Sequence, residues 1–305
     1  MAPLVLTHGC SLSNLPLFVA AGAGIFAAEG IDVDVQRYDE MSATGDALSS
    51  GSAELGTAAF TQPLIDAERT NPPRLVAGSG LMGIALLAQP ELEKVTDLVG
   101  LTIGTFPGDP LEVLLHDVLV AGGLEPGDVV IRAFDRIEDA VEAFDDRAIA
   151  AVTLAEPHAN RLRGRGAREL SDGRELWGDP FPDTVLVASE RLVAERPQTV
   201  SAAIRAMVRA EAHIHADLAG SIAMAVEHFP GYSPADLATA ALRQPPRVDL
   251  RGLVPTVFGR WDTLTALGLA PGGPAPAAAV QLDLLNAELG AEHLPGVSSS
   301  ARQGT

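Results

Sequence analysis

A lone cysteine, Cys10, lies in the segment Leu4-Val-Leu-Thr-His-Gly-Cys-Ser-Leu-Ser-Asn-Leu-Pro-Leu17, where an apolar run gives way to small polar residues. Residues 4–7 predict a buried strand. Leu15, Phe18, Val19, Gly22 and Phe26 recur at helical spacing, so Gly9 to Asn14 is a strand-to-helix turn. The first amides of a helix have no internal partner, and a thiol beside them loses its proton more readily and becomes a nucleophile. His8 shares a strand face with Cys10 at i and i+2, which makes it the candidate base. The bland alternative is that Cys10 packs as a small hydrophobe and His8 ends a strand.

Other chemistry-bearing residues are scattered. Asp109 precedes Pro110 at the head of a helical stripe and reads first as an N-cap; facing a cleft, it would favour a cationic or hydrogen-bond-donating ligand over an anion. Glu156 and His158 follow the buried run Ile149-Ala-Ala-Val-Thr-Leu154, as either a structural hinge or a ligand contact. Gly78-Ser-Gly80 lacks the lysine and spacing of a phosphate loop. His213 and His215 lie two apart on a predicted helix, hence on different faces, and His116 reads as helix surface. One cysteine builds neither a disulfide, a zinc cage nor an iron–sulfur cluster, so no metal and no cofactor is expected.

The totals narrow the partners. Forty acidic against 21 basic residues give a net charge of −19, and Lys94 is the only lysine. Nucleic acid and anionic membrane surfaces are excluded as partners on that balance, and no apolar run is long enough to insert in a membrane. The opening Met1-Ala-Pro-Leu-Val-Leu-Thr-His-Gly lacks the basic and apolar regions of a secretory signal. As written, the expectation is a cytoplasmic protein, or an extracytoplasmic one if the start is trimmed or miscalled. At 305 residues, two lobes are expected.

Helical and apolar stretches alternate through the first two thirds, predicting mainly parallel α/β sheets. Strands are expected at 31–35, 54–60, 74–80, 97–104, 129–134, 149–154 and 184–188. Sheets of this kind bind ligands beyond the carboxyl ends of their strands, which gathers the loops after Cys10, Phe60 and Ser79 around one site. From 197 onward the pattern is helical, including a helix at 275–289. The predicted division is a discontinuous lobe 1 at 1–88 and 189–297, lobe 2 at 89–188, and a disordered tail at 298–305.

Pro16-Leu-Phe-Val-Ala, Gly24-Ile-Phe-Ala-Ala-Glu-Gly-Ile-Asp-Val33, Ser50-Gly-Ser-Ala-Glu-Leu-Gly56, Asp97-Leu-Val-Gly-Leu-Thr-Ile-Gly104, Gly123-Leu-Glu-Pro-Gly-Asp-Val129 and Ala150-Ala-Val-Thr-Leu-Ala-Glu-Pro157 follow in an order and spacing that spans nearly the whole chain. Together they resemble the type II periplasmic substrate-binding proteins, in the branch of sulfonate, nitrate and thiamine-pyrimidine binders. The resemblance implies a ligand cleft between two α/β lobes that close on a small molecule. It also implies a pocket from Cys10, Ser11, Ser13, Asn14, Phe60, Thr61, Ser79, Gly80, Thr105, Phe106, Asp109 and Glu156, with an ABC-transporter permease as possible partner. A narrower similarity, Thr7-His-Gly-Cys-Ser-Leu-Ser-Asn14, is to the hydroxybiphenyl sulfinate desulfinases, where Cys10 and Asn14 match. It implies a cytoplasmic lyase or hydrolase with Cys10 as nucleophile. Arg37 is present in the stretch that follows but no histidine is, so the partner residues are not carried over. A binding protein for a transporter, a cysteine-dependent enzyme and a ligand sensor are the three functions this sequence allows.

Overall fold

The computed structural model describes residues 3–39 and 43–290; the tail expected at 298–305 lies outside them. Ten strands form two five-stranded sheets. They are β1 Leu4–His8, β2 Val33–Arg37, β3 Leu55–Ala59, β4 Pro73–Leu81, β5 Ile84–Ala88, β6 Thr102–Thr105, β7 Val130–Ala133, β8 Ala151–Ala155, β9 Arg168–Ser171 and β10 Pro182–Ser189. The first sheet runs β2-β1-β3-β10-β4 and the second β7-β6-β8-β5-β9. In each, four strands run in one direction, and the strand that has just crossed from the other lobe (β10 in the first, β5 in the second) pairs antiparallel to both its neighbours.

These pairings move the predicted lobe boundaries. Ile84-Ala-Leu-Leu-Ala88 was assigned to lobe 1 but pairs with β8 and β9, and residues 182–188, assigned to lobe 2, pair with β3 and β4. Both crossings therefore fall one strand earlier than expected, at Met82–Gly83 and just before Pro182. The two crossings touch: the Met82 N–H donates to the Phe181 carbonyl at 3.0 Å. Met82 and Gly83 take φ of 54° and 73°, a left-handed pair that only the glycine adopts without strain.

Two further expectations change. The strand at 97–104 starts late, because the Asp97 side chain accepts from the N–H groups of Glu93 and Lys94 and bends the chain into a short 3-10 turn, Val95–Leu98, before β6. The helix at 275–289 shortens to Asp283–Leu289. Before it the chain is extended far enough for Val280 to bridge to Leu75 of β4.

The carboxyl-terminal segment belongs to both lobes. Val248 and Val280 are tied to β4, yet between them the helix Trp261–Ala266 reaches across to the second-lobe helix Pro110–Ala121. There Asp117 accepts from Arg260 Nη1 at 2.6 Å, Thr263 Oγ1 at 2.8 Å and Trp177 Nε1 at 2.7 Å. A strap from lobe 1 thus grips lobe 2 beside the second crossing.

Candidate functional site: an acidic cleft between the lobes

The turn at Gly9–Asn14 forms as its residues dictate. Ser11 is extended and its Oγ accepts the Ser13 N–H, capping a 3-10 turn, Leu12–Asn14, which runs into the helix Leu15–Gly22. Asn14 is locked by three hydrogen bonds: its Nδ2 donates to the Ser11 carbonyl at 2.8 Å and the Gly9 carbonyl at 3.4 Å, and its Oδ1 accepts from Thr57 Oγ1 at 2.5 Å. The Ser13 and Asn14 amides of this terminus are spent on Ser11, and the Leu12 amide on the Glu156 carbonyl, so none of the three is left for the thiol.

Facing the turn across the cleft is Asp109. Its extended backbone and the following Pro110 start the helix Pro110–Ala121, and its Oδ1 accepts the Leu111 N–H at 3.0 Å. Between the two walls lies a narrow cavity of about 50 Å³. Gly9, Cys10, Ser11, Asn14, Tyr38, Thr44, Thr57, Ala58, Ala59, Asp183 and Thr184 line it from the first lobe, and Asp109, Leu111, Ile137 and Ala155 from the second.

Of the sequence-derived candidates, Cys10, Ser11, Asn14 and Asp109 meet at this cavity. The others stand behind or beside it. Ser13 Oγ sits 2.6 Å from Thr184 Oγ1, and Ser79 Oγ donates to the Ser13 carbonyl at 2.6 Å, so both brace the turn. Gly80 is there because a Cβ would fall 2.5 Å from that of Ser13. Phe60 is buried edge-on against Trp177, Phe106 lies against Phe134, and Thr105 Oγ1 is paired with Thr153 Oγ1 at 2.8 Å. Thr61 Oγ1 donates to the Gly108 carbonyl at 2.7 Å, a hydrogen bond from one lobe to the other. Glu156 is held by Arg163 at 2.5 Å and by the Asn160 N–H at 2.9 Å, while its backbone joins Leu12 and Gly83. It belongs to the hinge.

Two residues that the sequence reading passed over matter most. Asp183 lines the cavity at the start of β10 and is fully enclosed; Thr184 Oγ1 and Gln244 Nε2 both donate to its Oδ2, at 3.1 and 2.9 Å. Gln244 also donates to the Met82 carbonyl at 3.1 Å and accepts from Ser11 Oγ at 3.3 Å, so a single side chain links the acid, the turn and the hinge. Burial, and then the charge of Asp183, pushes the Asp109 carboxyl up to about 8; burial pushes Asp183 up to about 6.

The nucleophile reading of Cys10 loses its physical basis. The thiol is buried among apolar groups, which with the nearby Glu138 pushes it up to about 12. His8 does not face it. Its Nδ1 donates to the Gly9 carbonyl at 2.7 Å, and the ring packs edge-on against Phe18 and His228 and is lowered to about 4 by burial. Arg37 is spent on Asp39 and the His228 carbonyl. His158, the other histidine near the turn, is buried, lowered to about 4, and bonded to Tyr232 across the lobes at 2.8 Å.

Two mixed sheets, two crossings and a cavity between them define a two-lobed binding-protein fold. Residues 12–217 match the NMT1/THI5 like family, and the chain belongs to that family. It is 26% identical over 245 residues to the riboflavin-binding protein RibY of Chloroflexus aurantiacus, covering 77% of this chain and 68% of that protein. It is 27% identical over 199 residues to the formylaminopyrimidine-binding protein of Halalkalibacterium halodurans, covering 63% and 60%. Among solved structures, the alkanesulfonate-binding protein SsuA of Xanthomonas axonopodis pv. citri, bound to MOPS, superposes with a TM-score of 0.79 at 23% identity, covering 92% of this chain and 99% of that one. The chain thus spans about 60% to two thirds of the curated relatives' length.

Proposed function

We propose that the protein is a substrate-binding protein of the ABC import type, which captures a small organic molecule between its lobes. The observation that carries this reading is the cavity itself: side chains from both lobes wall it, and the lobes are joined by two adjacent crossings, one with a left-handed Met82–Gly83 pair. Relatives named for binding riboflavin, formylaminopyrimidine and alkanesulfonate support a small organic ligand. Closure is the signal. A ligand that touches both walls favours the closed form by its differential affinity for it, and an import permease reads that form.

Cys10 on this reading is wall, not reagent. The test is to saturate the protein with candidate ligands, follow lobe closure by small-angle scattering, and recover the ligand for mass spectrometry. A narrower particle and an unchanged ligand are expected. A chemically altered ligand, with alteration lost in Cys10→Ser, would return the enzyme reading to the front. Delivery to a permease would place the chain outside the cytoplasmic membrane. Among the described residues, no helix is long and apolar enough to cross one.

A further inference from the structure

The class of ligand follows from what the cavity does and does not contain. Resting on the capture reading, the geometry points to an organic cation whose N–H groups donate to Asp109 on one lobe and Asp183 on the other.

Among the described residues no lysine, arginine or histidine lines the cavity, whereas Asp109 and Asp183, which do, are more than nine-tenths buried. Each is built to leave an oxygen for a donor. Asp109 spends Oδ1 on the Leu111 N–H, and its Oδ2 accepts no hydrogen bond from the described residues. Asp183 receives Thr184 and Gln244 on Oδ2, with the Ser13 hydroxyl also supporting the carboxylate. Ionising a buried carboxyl group without a counter-charge is costly, and a charged N–H donor offsets that cost. An anion would add a further negative charge to the two acids, with Glu112 close behind Asp109 on the same helix. The remaining wall supplies Tyr38, Leu111 and Ile137 for the ligand's apolar body.

The arrangement also couples charge to closure. Asp109 and Asp183 sit on opposite lobes, near enough for the charge of Asp183 to raise the Asp109 carboxyl, so a cation bonded to both would ionise Asp109 and tie the lobes together. A neutral or anionic molecule of the right size lacks this differential preference for the closed form.

The test uses benzamidinium and benzoate, which are close in size and shape and opposite in charge, with calorimetry at pH 8. The wild-type protein is expected to bind benzamidinium at least about 30-fold more tightly, the worth of one or two charge-assisted hydrogen bonds. In Asp109→Asn and Asp183→Asn that preference falls about tenfold or more. Three results would each overturn the inference: benzoate binding as well or better, no benzamidinium binding at about 10 mM, or a preference intact in both variants. The wild-type comparison stands even where a variant fails to fold. Scattering on the same samples separates this inference from the capture reading. Benzamidinium selectivity without narrowing upholds the ligand class and sinks capture, and narrowing with benzoate does the reverse.

Discussion

Replacing Asp109 by asparagine separates what this side chain does for folding from what it does for a ligand. Asparagine caps a helix as well as aspartate, so the Leu111 hydrogen bond survives. What disappears is the ionisable group. With its carboxyl raised to about 8 in the fold against an ordinary value near 3.8, the native protein holds a proton that the unfolded chain releases at neutral pH. The sign follows: because the folded state binds more protons here, the contribution of Asp109 to stability is greatest below about pH 4, falls as pH rises, and levels off above about 8. At pH 7 the accumulated cost is about 4 kcal/mol at most, from roughly three pH units at 1.36 kcal/mol each, since opening the cleft rehydrates the group. Asp109→Asn should therefore be the more stable protein at pH 7 without ligand, by up to about 8 °C in melting temperature. Its advantage should shrink toward pH 4. Calorimetric melts at pH 4.5, 6, 7 and 8.5 check this. A variant that melts lower than wild type at pH 7, or whose advantage does not depend on pH, would refute the argument that Asp109 is a strained group kept for binding.

Other outcomes are equally specific. Gln244→Leu removes the donor on Asp183 and the tie to the Met82 carbonyl, so benzamidinium affinity should drop by about tenfold or more, as for a lost hydrogen bond to a charged group, and scattering should show the change in closure along with it. Cys10 should resist thiol reagents: with the thiol near 12 the thiolate fraction at pH 8 is about 10⁻⁴, and labelling should speed up only as urea opens the lobe. Arg260→Ala takes one of three close donors from Asp117 and should cost about 1.5–3 kcal/mol in urea melts. If the strap restrains opening, the same variant gives a wider particle by scattering; an unchanged particle would reduce the strap to packing.

How far the sequence reaches into this structure depends on how local each feature is. The turn at Gly9–Asn14 and the cap at Asp109 are written in a few consecutive residues, an apolar run meeting small polar ones and an Asp-Pro pair ahead of a helical stripe. Both are where they were expected, and both meet the cavity. Asp183 escaped notice because ligand sites are sought beyond the carboxyl ends of parallel strands. It stands instead at the amino end of an antiparallel strand, which arrives at the same edge of the sheet. Gln244 lies 61 residues from Asp183, and nothing local distinguishes it from any other glutamine. The lobe boundary slipped because Ile84-Ala-Leu-Leu-Ala88 is an apolar run without periodicity, buried wherever it goes; only its pairing with β8 decides the sheet. In the same way, the small residues of 275–282 suit a helix, but only a single 3-10 turn, Ala277–Ala279, forms before the bridge from Val280 to Leu75 interrupts it.

The most direct measurement of the central claim is the distance between the lobes in solution, read by energy transfer between one label on the outer face of each lobe, as benzamidinium is titrated at pH 8. A saturable shortening, carried by the wild type and lost in Asp109→Asn and Asp183→Asn, is the predicted result. A distance that stays constant while calorimetry shows the cation bound would contradict capture by closure between two acids.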